Sequence, residues 1–255
     1  MSYSENINPL NYLSDPKEFK HLNELYIKVR DKENRLLSDA VVTKLPFITE
    51  HESVYFKEWK ARSYSFDRLN NYLQKKEKPL HILDLGCGNG WLAANLATTK
   101  HFTVSGLDVN EEELQQANRV FQKTNLSYCF GDIFKNIFPA KTFDIIVLNA
   151  CLQYFGDLSV LINQLFYYLK SGGEIHIIDT PFYTSEEIEA AKKRSLNYYS
   201  SLGFAEMAEQ YYHHQLNDLS AFNYQVLRKN NFITQVRTKI NGDVPANFAW
   251  IRITN

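Results

Sequence analysis

The run Asp84-Leu85-Gly86-Cys87-Gly88-Asn89-Gly90 constrains the fold of this chain more than any other feature. It ends a short apolar segment, His81-Ile82-Leu83-Asp84-Leu85, interrupted by a single carboxylate, as in a strand buried on both faces. The glycines stop that strand and open a helix over Trp91 to Thr98, where Ala93, Ala94 and Ala97 permit close packing on a sheet. A strand, a glycine turn and a helix make the first unit of a parallel α/β architecture.

The same alternation continues along the chain. Phe102 to Val109, Leu126 to Phe130, Phe143 to Asn149 and Glu174 to Asp179 read as further strands. Asn110, with Glu113 three residues on, gives a capping-box-like helix start. Leu158, Leu161, Ile162, Leu165 and Leu169 share one helical stripe, which Ser171-Gly172-Gly173 closes. Past Pro181, a polar and aromatic stretch from Ser185 to about Asn223 is too long for a crossover, so we expect a helical insertion over about 181–223. A helix ending near Leu227 to Asn231, a strand at Phe232 to Ile240, an Asn241-Gly242-Asp243 turn and a last strand at Phe248 to Ile253 are predicted to follow. The short connection makes the final pair antiparallel.

Residues 1–79 have a helical composition, with charge-rich stretches around Lys28 to Arg35 and Lys75 to Lys78. The part from Ser53 to Gln74 is expected to pack on the sheet beside its mouth, with Pro79 at the junction. The expected organisation is therefore an N-terminal helical extension, or lid, over 1–79 and a core over 80–255.

Charge and composition narrow the partners. The chain carries a formal charge of −1 with acidic and basic residues intermixed, which disfavours nucleic acid and anionic membrane as binding surfaces. No stretch approaches the roughly 20 apolar residues needed to span a bilayer. The start, Met1-Ser2-Tyr3-Ser4-Glu5-Asn6, lacks the basic and apolar character of a signal peptide, so a cytoplasmic location is expected. Cys87, Cys129 and Cys151 have no metal-ligand spacing and read as small apolar residues at strand ends, so no metal site is expected.

Open α/β sheets bind ligands beyond the carboxyl ends of their strands. Asp84, Asp108, Asp132 and Asn149 fall at or just past four successive strand ends and should converge on one crevice. The glycine spacing then discriminates. A dinucleotide fingerprint wants a glycine at the sixth position, but counting from Gly86 the sixth is Trp91; the glycine comes one residue early, at Gly90. Asp84 just before the loop would repel a phosphate, and no lysine follows in the phosphate-loop arrangement. A cationic nucleoside without phosphate fits these residues best.

The segments ILDLGCGNGWLA, GLDVN, GDIF, FDIIVLNACLQYF and LKSGGEIHIID resemble the successive motifs of class I S-adenosylmethionine-dependent methyltransferases, over roughly Leu80 to Asp179. The resemblance implies a Rossmann-like, doubly wound sheet of seven strands, mostly parallel with the last antiparallel. It implies S-adenosylmethionine as cofactor and S-adenosylhomocysteine as product. It places Asp84 and the loop of Gly86, Cys87, Gly88 and Gly90 against the methionine part. Asp108 would accept hydrogen bonds from both ribose hydroxyls, with Val109 adjoining. Asp132 would take the adenine amino group with Ile133 beside the ring, and the Asn149 backbone would lie near the methionine amine. Cys87 and Cys151 read as loop-shaping residues, and Trp91 as a wedge against the N-terminal helices. Arg62 offers a fork of donors suited to the cofactor carboxylate, with a surface ion pair as the alternative.

For the acceptor, Gln153 and Tyr154 follow the fourth strand, and His213 and His214 sit among aromatics in the insertion. A histidine pair in a helix can equally be surface or packing, and no general base is assigned. There is no Asn/Asp-Pro-Pro-Tyr/Phe motif and no basic stripe; the corresponding stretch is Asn149-Ala150-Cys151-Leu152. A small organic acceptor is the leading expectation. A tRNA or protein methyltransferase and a non-catalytic, partner-binding subunit stay open as alternatives.

Overall fold

The computed structural model describes residues 8–228 and 248–255. In chain order the elements are β1 (Asn11–Tyr12), α1 (Lys20–Lys32), α2 (Asp39–Val42), α3 (Phe56–Gln74), β2 (Leu80–Leu85), α4 (Trp91–Leu96), β3 (Phe102–Asp108), α5 (Glu111–Val120), β4 (Leu126–Phe130), β5 (Phe143–Asn149), α6 (Leu158–Tyr168), β6 (Leu169–Ile178), α7 (Ile188–Leu202), β7 (Asn223–Arg228) and β8 (Trp250–Thr254). The described strands form one sheet in the order β1-β4-β3-β2-β5-β6-β8-β7. Pairing is parallel from β1 to β6 and antiparallel where β8 meets β6 and β7. Strand order reverses at β2, with β3 on one side and β5 on the other, so a crevice opens at the carboxyl ends of β2 and β5.

Period-two alternation divides the strand side chains between two cores. Ile82, Val104, Ile145 and Val147 join Leu69 and Leu73 of α3 and Trp91 and Leu92 of α4 on one face. Leu83, Leu107, Ile146 and Leu148 meet Leu161, Ile162 and Leu165 of α6 on the other. A third, small cluster lies apart from the sheet, where Leu25 and Val29 of α1 pack on Tyr199 of α7 and Met207. Trp91 is wedged edge-on against Trp59 and Phe66 of α3, at ring separations of 5.6 and 6.4 Å. Among the described residues, no helix is long and apolar enough to cross a membrane.

Local chemistry sets the helix ends near the crevice. The Glu113 N–H donates to Asn110 Oδ1 at 3.0 Å, capping α5. The return arm of a capping box is not made: the Asn110 N–H donates to Asp108 Oδ1 instead, and the Glu113 carboxylate turns toward Gly88.

The doubly wound, mostly parallel architecture with an antiparallel last strand is as expected. Its described strands number eight rather than seven: Asn11–Tyr12 adds a parallel edge to β4 and Asn223–Arg228 an antiparallel edge to β8, while one expected strand lies outside the described residues. Two other expectations need correction. The helix expected to end near Leu227 is a strand up to Arg228, since Tyr224, Val226 and Arg228 alternate half-buried with exposed neighbours, a period of two. The insertion is helical only over Ile188–Leu202, where Gly203 at φ 88° ends it. Short 3-10 turns at Ala205–Gln210 and Leu216–Leu219 follow, with 211–215 outside any helix. The strand expected at Phe232 to Ile240 and the Asn241-Gly242-Asp243 turn lie outside the described residues.

Candidate functional site

The loop after β2 is shaped by two positions that exclude side chains. Gly86 has φ 70°, and a Cβ there would lie 2.6 Å from Cys151 Cβ. Gly88 has φ 51°, and a Cβ there would lie 2.9 Å from Glu113 Oε2. Asp108, at the end of β3, ties this loop to the start of α5. Its Oδ2 accepts the Gly88 N–H at 2.8 Å, and its Oδ1 accepts the Val109 and Asn110 N–H groups, each at 2.8 Å. Burial raises the Asp108 pKa, and these three N–H donors oppose that rise. A carboxylate has about four acceptor positions, so one is left toward the cavity.

Two connected cavities flank the loop and share Tyr26, Gly86, Gly88, Glu113 and Tyr154. The first, of about 330 Å³, is lined by Asp108, Val109, Asp132, Ile133, Phe134 and Phe155. Two carboxylates, Asp108 and Asp132, stand in its lining among apolar and aromatic side chains. Asp132 Oδ1 accepts the Phe134 N–H at 3.0 Å, and its own N–H donates to Ser14 Oγ at 3.0 Å.

The second cavity, of about 470 Å³, is lined by Arg62, Asp84, Cys87, Asn149, Gln153 and Asp179, among others. Around it four buried oxygens lack any hydrogen-bond partner: Asp84 Oδ1, Asn149 Oδ1, Gln153 Oε1 and Asp179 Oδ2. Buried acceptors without partners are costly, so this set fits a ligand that brings N–H donors and positive charge. Burial pushes Asp84 up to about 7, against the pull of the Ala93 N–H on Oδ2 at 3.1 Å. Burial likewise raises Glu113 to about 7, against the nearby Arg30 charge, and Asp179 to about 6, against Arg62 and Ser65. Asp179 stands at φ 54°, and Ser65 of α3 donates to its Oδ1 at 2.6 Å.

Arg62 is ion-paired as well as cavity-lining. Its guanidinium lines the second cavity, pairs with Glu58 at 2.8 Å and lies 5.0 Å from the Trp59 ring centre. Glu58 in turn takes two hydrogen bonds from Arg35, at 3.2 and 2.9 Å. The three cysteines are free and buried, and Cys151 donates to the Leu85 carbonyl at 3.0 Å.

The structure thus gathers Arg62, Asp84, Gly86, Cys87, Gly88, Asp108, Val109, Asp132, Ile133, Asn149, Gln153 and Tyr154 around the two cavities. Three expected residues stand elsewhere. Gly90 lines neither cavity; it leaves room for the Tyr128 hydroxyl and Ala117, a packing role. His213 and His214 face a wide surface depression beside α7. His213 Nε2 is 2.9 Å from Ser195 Oγ, and buried His214 has Nε2 3.2 Å from the Leu152 carbonyl. Their segment is extended, not helical, so the backbone turns Tyr211 rather than either imidazole into the second cavity. Sequence reasoning missed Tyr26, Arg30, Glu113, Asp179 and Tyr211. Glu113 and Asp179 were within reach, since one follows Asp108 by five residues and the other ends a strand, but Tyr26 and Arg30 carry no motif.

Comparison with known proteins agrees with this geometry. A family profile described as "Methyltransferase domain" matches residues 76–232. The malonyl-[acyl-carrier protein] O-methyltransferase of Halalkalibacterium halodurans is 35% identical over 103 residues, 38% of this chain and 38% of that protein. The 27-O-demethylrifamycin SV methyltransferase of Amycolatopsis mediterranei is 28% identical over 102 residues, again 38% of each. The match spans well under half the length of these relatives. Among solved structures, YcgJ from Bacillus subtilis aligns with a TM-score of 0.52 at 16% identity, covering 75% of this chain and 96% of that one. Phosphoethanolamine N-methyltransferase 2 of Haemonchus contortus, in complex with S-adenosyl-L-methionine, gives 0.50 at 19% identity, covering 73% and 51%. Both likenesses concern the fold. With the profile covering most of the chain, the crevice at β2 and β5 has a family: the protein belongs to the class I S-adenosylmethionine-dependent methyltransferases.

Proposed function

We propose that this chain transfers the methyl group of S-adenosylmethionine to a small organic acceptor. The observation that carries the reading is the ring of unpartnered acceptor oxygens, on Asp84, Asn149, Gln153 and Asp179, beside a cavity lined by Asp108 and Asp132. In this reading Asp108 receives a ribose hydroxyl at its remaining acceptor position, and Asp132 the adenine amino group, with Val109 and Ile133 against the ring. The backbone at Gly86 and Gly88 passes the methionine part, Asp84 and Asn149 face its ammonium, and Arg62 meets its carboxylate. When bound, the cofactor supplies a methyl group on a sulfonium, already activated for displacement.

The chain's own contribution is then to orient and to exclude water. Holding donor and acceptor in line accounts for much of the acceleration in such displacements. Gln153 and Tyr154 line the second cavity together with the glycine loop, and an acceptor atom would approach past them. We further read residues 1–79 as a lid on the core over 80–255, because α1 brings Tyr26 to both cavities and α3 brings Arg62. A small acceptor is supported by that enclosure and by the balanced charge of −1. The rifamycin-directed relative, named for a small-molecule acceptor, points the same way. A cytosolic location belongs to the same proposal.

Calorimetry with S-adenosylmethionine, S-adenosylhomocysteine, NAD and ATP tests the cofactor. Saturable binding of the first two alone is expected, and tight NAD or ATP binding in their place would refute the reading. Transfer of labelled methyl to a heat-treated metabolite extract, but not to bulk RNA or protein, is the expected result for the acceptor.

A further inference from the structure

A third cavity, of about 380 Å³, continues outward from the second between α1, α3 and α7. Tyr26 and Tyr154 line all three cavities, so the outer space joins the first cavity at these two rings, which meet edge-on at 5.9 Å. Tyrosine dominates the outer wall, with Tyr198, Tyr199 and Tyr211 added to that pair. Three arginines, Arg30, Arg35 and Arg194, line it against two carboxylates, Glu33 and Glu58.

The state of those arginines is unequal. Arg35 is fully engaged, bidentate on Glu58 and 3.8 Å over the Tyr55 ring. Arg30 is not. Its Nε is buried with no hydrogen-bond partner, and its nearest carboxylate, Glu33, stands 3.6 Å from its terminal nitrogen. Glu33 is itself shared, at 3.6 Å from Arg35 Nε and accepting the Tyr198 hydroxyl at 2.6 Å. Glu113 influences Arg30 from the inner cavity, where its oxygen faces Gly88 and not the guanidinium fork. Arg194, on α7 across the same space, makes no hydrogen bond or ion pair among the described residues. A half-buried guanidinium that lies 5.5 Å from the Tyr26 ring centre and keeps a buried Nε–H without a partner is matched by a planar or tetrahedral oxyanion.

We infer that the outer cavity is the acceptor's anchoring subsite and that it takes an oxyanion, a carboxylate or a phosphate, on Arg30 with Arg194 as the second cation. The inference rests on the methyltransferase reading for the word acceptor. Arg30, Gln153, Tyr154 and Tyr211 are among the residues that line both the outer and the inner space, so an anion held on the outer side of Arg30 directs the rest of the molecule inward past Gln153 and Tyr154.

The test uses four probes of matched ring size on the protein loaded with S-adenosylhomocysteine: benzoate, phenyl phosphate, benzyl alcohol and benzylamine. By calorimetry, at least one anion should bind about tenfold or more tightly than the neutral and cationic probes, and benzoate against phenyl phosphate tells carboxylate from phosphate. Arg30→Met should erase that preference, and Arg30→Lys should keep part of it. No binding of either anion, no preference among head groups, or a preference that survives in folded Arg30→Met would overturn the inference. If Arg30→Met does not fold, loss of the preference in Arg194→Met decides in its place, and its persistence there counts against the subsite. The titrations are repeated on the free protein, so that a failure to bind S-adenosylhomocysteine tells against the methyltransferase reading while the anion result stands by itself.

Discussion

Asp108 serves the protein and, in the proposed function, the ligand with the same carboxylate. Three of its acceptor positions hold backbone N–H groups that fix the glycine loop against the start of α5, and one is left for a ribose. Asp108→Ala should therefore weaken S-adenosylmethionine binding by about 1–3 kcal/mol, read by calorimetry; unchanged affinity would remove the ribose role. The neighbouring carboxylates add a pH dependence. Burial raises Asp84 and Glu113 to about 7 and Asp179 to about 6, so in the free protein their protonated forms favour folding. That contribution is fully present below the ordinary carboxylate range and is lost as pH rises through 6 to 7. A cation in the cavity favours the ionised forms, which reverses the sign for binding. Affinity for S-adenosylmethionine should rise with pH across about 5.5 to 7.5, with protons released on binding near neutrality. Calorimetry in two buffers of different ionisation enthalpy measures that release, and a flat profile would show that these carboxylates do not face the ligand's charge.

At the scale of elements, α3 anchors the N-terminal residues to the sheet. Leu69 and Leu73 are fully buried, in the same cluster as Ile82 and Val104, while one to two turns earlier Arg62 lines the cavity and Ser65 holds the cavity-lining Asp179. Leu69→Ala should cost about 2–5 kcal/mol in urea denaturation, the range for a buried leucine that leaves a cavity; a cost under about 1 kcal/mol would mean α3 is only loosely docked. This helix and strands β2 to β6 were legible because their signals are local: apolar runs, a glycine turn, an asparagine cap. The cavity-lining ends of those strands followed for the same reason. The stretch after Pro181 was not legible in detail. Its aromatic residues suit either period, and whether Tyr224 and Val226 alternate into a sheet depends on the partner strand β8, some 26 residues further on. The histidines misled for a related cause. Nothing in Tyr211-Tyr212-His213-His214 indicates which side chain turns inward, and the decision rests on the Tyr212 N–H pairing with the Gln153 carbonyl at 2.7 Å. Arg30 and Tyr26 were silent because a long-range contact between α1 and the crevice leaves no periodic trace in the sequence.

The whole molecule is held by two large cores that share the sheet and a third that does not. Leu25 and Val29 of α1, Tyr199 of α7 and Met207 form that small cluster, and it bridges the N-terminal helices to the insertion over the cavities. It is separate from both strand cores, so its free energy is expected to govern local opening of α1 and α7 rather than whether the sheet folds. Met207 is 1% exposed, and Met207→Ala should cost about 2–5 kcal/mol, since a buried side chain is cut back to a methyl. Because the cluster is a satellite, that cost should be spent locally. Amide exchange should quicken over Lys20–Lys32 and Ile188–Leu202 while β2, β3 and β5 keep their protection. Bound S-adenosylhomocysteine at about 100 times its Kd adds about 2.7 kcal/mol to any state that needs the closed form, and so should restore much of the lost protection. Faster exchange spread evenly into the strands would instead make the covering part of a single cooperative unit, and the cavities would then open only when the protein unfolds.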